Sequence, residues 1–158
     1  MLCECVLSPT EVLDGIASLL DKSLLHREHG LHDEQRYVML ETVREYGLEQ
    51  LAVQGQKAVL REQHARCFLR LIENAEQTEL DPGWVRVRHL VDDDSHNMRA
   101  ALAWAMQHDV QAALLLFTVL VEWLTTRGLY TEGLQMIDDV FALPNASART
   151  IPRAKALY

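Results

Sequence analysis

Apolar positions recur at helical spacing through most of this chain and give way, once, to a short alternating stretch near its start. Pro9 and Thr10 precede Val12, Leu13, Ile16, Leu19 and Leu20, a stripe of period 3.6 behind a helix-start signal. This predicts a helix over residues 9–22. Residues 24–28 and 36–39 are strand-like and flank the polar, glycine-containing turn 29–34, so the two pieces read as a hairpin. Helical spacing returns over residues 41–53, with Val43, Tyr46, Gly47 and Leu51 toward one side. Gln54-Gly55 supplies a residue able to take the left-handed cap conformation.

From residue 56 onward the chain has no strand pattern. His64, Cys67, Phe68, Leu71, Ile72 and Ala75 follow one helical face, and Asp81-Pro82-Gly83 reads as the turn that closes that helix. A short helix is expected over 84–91. Asp92-Asp93-Asp94-Ser95 then reads as a connecting loop whose carboxylates and hydroxyl cap a helix over 96–107. Residues 110–126 form an apolar core helix, Arg127-Gly128-Leu129 a tight turn, and 130–143 its antiparallel partner. Another helix starts at residue 151. The fold class is therefore mainly α: a partial winged helix (helix, β-hairpin, helix) over 1–55, linking helices over 56–108, and an antiparallel helical array over 109–158.

Composition narrows the function. The 158 residues are 49% hydrophobic, enough for a buried core. The net charge of −8 opposes binding through clustered Lys and Arg to a phosphate backbone, and the helix ahead of the hairpin sets Glu11, Asp14 and Asp21 against Lys22 alone. On these grounds the chain is not expected to bind nucleic acid directly. The longest apolar run, residues 112–124, is far short of the roughly 20 needed to span a bilayer, and no basic-then-apolar leader precedes it. Three cysteines, Cys3, Cys5 and Cys67, form no disulfide framework. The expected setting is the cytoplasm, without a membrane.

Three stretches carry a family resemblance. Residues 12–25 with 36–46 are similar to a winged-helix end. Asp94-Ser95-His96-Asn97-Met98-Arg99-Ala100-Ala101-Leu102-Ala103-Trp104 looks like a linker helix. Arg127-Gly128-Leu129-Tyr130-Thr131-Glu132-Gly133-Leu134 resembles the turn into the second helix of a tetratricopeptide-like repeat. In this order they resemble the region that follows the NB-ARC-type ATPase core in bacterial STAND-class transcriptional regulators of the LuxR-like and antibiotic-regulatory kinds.

The resemblance implies a non-catalytic relay between an upstream ATPase core and a helical sensor surface. It also implies that ATP or ADP and Mg belong to that core rather than to this chain, which has no G-x-x-x-x-G-K-[ST] phosphate loop. In relatives from apoptosis and plant immunity a Met-His-Asp motif brings its histidine to the nucleotide phosphate. The matching residues here are Met39, Leu40 and Glu41, and leucine has no donor for a phosphate oxygen. His26, His29 and His32 lie nearby as alternatives.

Neither a nucleophile elbow nor H-E-x-x-H spacing is present, so no catalytic residue and no metal ligand is assigned. The expected partners are the intramolecular ATPase core, further helical repeats, and a peptide, protein or small-molecule signal. Trp84, Trp123, Arg127 and Tyr130 are the candidate partner-binding residues. Trp104 and Trp123 lie on apolar helices, where tryptophan is more often core than contact, by roughly three to one.

Overall fold

The computed structural model describes residues 8–30, 35–76 and 82–157. The elements run α1 (Pro9–Asp21), β1 (Leu25–His29), β2 (Gln35–Met39), α2 (Glu41–Val53), α3 (Lys57–Glu76), α4 (Pro82–His108), α5 (Val110–Thr126), α6 (Tyr130–Phe141) and α7 (Ile151–Leu157). The chain divides into two compact units, Met1–Gln63 and His64–Tyr158. Among the described residues no helix is long and apolar enough to cross a membrane.

The first unit is a helix, an antiparallel hairpin and a second helix. Ser8 caps α1 in a reciprocal capping box: its Oγ accepts the Glu11 N–H at 3.3 Å while Glu11 Oε2 accepts the Ser8 backbone N–H at 2.7 Å. The Ser8 donors hold the Glu11 carboxyl below its usual range. At the other end Ser23 takes a left-handed φ of 57°, and the Ser23 and Leu24 N–H groups bond back to Leu20 and Leu19. This closes the helix as a Schellman motif with serine where glycine is usual.

Gly55 ends α2 in the same way at φ 70°, as the glycine spacing predicts. Within α2, Val43, Gly47 and Leu51 are half-buried, whereas Tyr46 is 62% exposed. Its position on the predicted apolar side does not make it a core residue. None of the described side chains of this unit is fully buried.

The second unit has a continuous core. Phe68 and Ile72 from α3, Val87, Val91, Met98 and Leu102 from α4, Leu114, Leu116, Phe117 and Leu120 from α5, and Val140 from α6 pack as one buried cluster. Phe117 meets Phe141 edge to face at 5.7 Å, a favoured arrangement of ring quadrupoles. The α5 helix occupies the centre, packed against α4, α6 and α7. Its start is set by Asp109, whose carboxylate accepts the Gln111 and Ala112 N–H groups, and its end by Gly128 at φ 74°.

Two expectations change in this unit. Pro82 and Gly83 open α4 instead of forming a closing turn, while Asp81 lies outside the described residues. The loop expected over 92–95 shrinks to a single non-helical residue, Asp94, at φ −121° and ψ 24°. The flanking turns continue as helix on both sides.

Candidate functional site

In the hairpin, antiparallel register sorts side chains onto two faces. Leu25 pairs with Met39, Arg27 with Tyr37 and His29 with Gln35 on one face, while His26–Val38 and Glu28–Arg36 form the other. Leu25 and Met39 are half-buried at the base, whereas Arg27, His29, Gln35 and Tyr37 are exposed. The first face is thus apolar near the helices and polar toward its tip. On the second face His26 Nε2 donates to Glu28 Oε1 at 2.8 Å. Arg27, and Lys22 at the end of α1, make no ion pair among the described residues, and both are exposed.

The Met39-Leu40-Glu41 junction follows directly. Leu40 is the N-cap of α2, makes no side-chain capping bond and is 55% exposed. Glu41 pairs with Arg44, whose Nε donates to it at 2.8 Å. This pairing holds the guanidinium pKa above its usual value. No side chain at this junction offers a hydrogen-bond donor at position 40. His32 lies outside the described residues, and His26 is engaged with Glu28.

In the second unit, two of the four candidate partner-binding residues turn inward on the fold's own groups. Trp123 donates its indole N–H to Asp92 Oδ1 at 2.7 Å, and Arg127 pairs with the same carboxylate. The Arg127 and Arg99 guanidinium carbons lie 5.5 and 6.0 Å from the Trp123 ring centroid, within cation–π range. Arg99 in turn pairs with Glu132 of α6. This clasp joins α4, the end of α5 and the start of α6. Tyr130 stands outside it, 63% exposed, and the Trp84 side chain lies outside the described residues.

The α4 break faces another such group. Asp94 accepts a hydrogen bond from Asn97 at 2.7 Å. His64 of α3 interacts with both residues and lies 4.9 Å from the Phe68 ring. Burial lowers the His64 pKa, outweighing the opposing pull of Asp94 and Asn97. Among the described residues no three His, Cys, Asp or Glu side chains converge to hold a metal ion. Cys3 and Cys5 lie outside those residues.

The helix–hairpin–helix order of the first unit is consistent with a winged helix, and residues 5–52 match the family described as a winged helix-turn-helix domain. Along both units the chain is similar to "Putative HTH-type transcriptional regulator Rv0890c" of Mycobacterium tuberculosis (strain ATCC 25618 / H37Rv) and to "Putative HTH-type transcriptional regulator Mb0914c" of Mycobacterium bovis. Identity to each is 30%, over 96% of this chain. The chain spans 17% of the length of these relatives. No solved structure matches it significantly.

The match overturns one expectation, that the chain does not bind nucleic acid directly. A helix-turn-helix is a motif built to dock on a duplex, and similarity to transcriptional regulators runs the length of the chain. The net charge of −8 and the carboxylates of α1 do not exclude docking, because docking depends on the potential of the one local surface that meets the duplex. Arg27 was visible in the sequence, but the face that it shares with Tyr37 follows only from the strand register.

Proposed function

We propose that this chain is a non-catalytic regulatory portion of a transcriptional regulator that works in the cytoplasm, with the winged helix-turn-helix domain contacting DNA and the helical unit presenting a surface to regulatory partners. The observation that carries this reading is the winged helix-turn-helix match over residues 5–52. It is supported by the similarity to transcriptional regulators through both units. Fluorescence anisotropy of the chain with a mixed-sequence duplex tests it. Binding is expected at low salt with a Kd on the order of 1–100 µM, and log affinity should fall linearly with log salt. No anisotropy change at the lowest salt would refute DNA contact.

A finer reading is favoured by the three stretches that resemble STAND-class regulators. In it, the module relays the nucleotide state of an ATPase core to a helical-repeat sensor. The relatives are long enough to hold such a core, since this chain spans 17% of them. The donor-free Leu40 supports a mechanical relay without a phosphate-sensing atom at that position. Hydrogen exchange on a full-length relative, comparing ADP-bound and ATP-bound states, should change protection across the segment equivalent to α1–α2. Identical protection in both states would count against the relay.

A further inference from the structure

We propose that the wing, and not the helix preceding it, makes the contact with DNA, and that the contact is to the phosphate backbone. The inference rests on the DNA-binding reading above and assigns its surface. In the usual helix-turn-helix geometry the helix ahead of the wing enters the major groove. Here Glu11, Asp14 and Asp21 lie on one exposed stripe of α1, because positions three, seven and ten residues apart fall on the same side of a helix. Bonds from Ser8 hold the Glu11 carboxyl below its usual range. One carboxylate can accept a hydrogen bond from cytosine; three along one stripe would face phosphates on both walls of the groove.

One face of the wing, by contrast, carries no carboxylate among the described residues. Arg27 and Tyr37 face each other across the two strands, with His29 and Gln35 beside them on the same exposed face. Lys22 stands exposed where α1 hands over to β1. Arg, Lys, Tyr and Gln are side chains that bond phosphate and sugar oxygens, positioning a protein without reading sequence. Neither cation has an ion-pair partner to give up among the described residues. The interaction therefore loses little when a phosphate replaces water.

Two neutralised phosphates correspond to a salt slope of about −1.8. That is about a twelvefold loss of affinity between 50 and 200 mM salt from these contacts alone. Anisotropy titrations of the whole chain against two duplexes of unrelated sequence provide the test. The double variant Lys22→Ala/Arg27→Ala should flatten the slope by about 2 and weaken both duplexes equally. Lys22→Arg/Arg27→Lys, which keeps both charges, should restore the slope.

On α1, Glu11→Gln/Asp14→Asn should change affinity less than about twofold if the stripe faces away from phosphate. Glutamine preserves the capping box. Far-ultraviolet circular dichroism confirms that each variant is folded. If the wild type binds while the alanine pair leaves the slope unchanged, or if the α1 variant changes affinity tenfold, the wing assignment is overturned and the DNA-binding reading survives. If the wild type does not bind at all, both fall.

Discussion

The two units of this chain bury their apolar residues to very different degrees. In the second, Phe117, Ile72, Met98, Leu114, Leu116 and Leu120 are all at most 1% exposed, and each supports neighbours on at least one other helix. In the first, none of the described side chains is fully buried, and Leu13, Leu40, Tyr46 and Val53 are more than half exposed. The difference separates two kinds of work. A helical unit with a closed core holds its shape through packing, whereas a small helix–hairpin–helix unit relies on caps, turns and register to present surface groups in a defined order.

The largest test of that contrast is truncation in each unit. Phe117→Ala should cost about 3–5 kcal/mol and abolish the main unfolding transition at 37 °C, read by thermal denaturation. Ile16→Ala, at a half-buried site in α1, should cost closer to 1 kcal/mol. Equal losses would mean that the first unit has a core of the same quality, and the comparison would break.

Next comes the clasp. Asp92→Ala removes the acceptor for the Trp123 indole and the partner of Arg127. The Asp92 side chain is only 12% exposed, so the substitution should destabilise the second unit by about 1–3 kcal/mol in urea unfolding. High salt should not reproduce the effect, because a mostly buried group is poorly screened. A loss fully mimicked by 1 M salt would show the clasp to be a surface ion pair only.

A smaller effect concerns His64. Its folded-state pKa lies below the ordinary value of 6.5 because burial disfavours the charged ring. The unfolded chain therefore takes up a proton first as pH falls. Stability contributed by the neutral ring is fully present above the unfolded pKa and is lost as pH falls from there through the folded pKa. His64→Gln should flatten urea-unfolding free energy against pH in that window; an unchanged slope would assign it to other groups.

The smallest expected change is Ser23→Gly. It relieves a left-handed serine but adds freedom to the unfolded chain, so the net gain should be under about 1 kcal/mol. The melting temperature should rise by a few degrees or less. A fall would show that the serine hydroxyl contributes more than its backbone strain costs.

Much of this architecture was legible because it is local. The α2 and α5 bounds agree with the predicted 41–53 and 110–126, since Gly55, Asp109 and Gly128 end or start those helices through bonds reaching only a few residues. The 92–95 loop was misread for the opposite reason. Three aspartates before a serine look like a capping loop, yet Asp92 is taken by Trp123 and Arg127, 31 and 35 residues away. The helix runs on and breaks only at Asp94. No local signal announces such a partner.

The candidate site divides along the same line. Sequence alone determined the hairpin and the helices other than α4, the absence of a donor at Leu40 and the acidic stripe of α1, because backbone hydrogen bonding and side-chain chemistry act over a turn or two. Tertiary structure decided that Trp123 and Arg127 close a clasp and that Arg27 faces Tyr37 on the open side of the wing. It also decided which unit has a core. Each of these outcomes depends on which distant segments meet, and packing and strand register choose that only once the whole chain has folded.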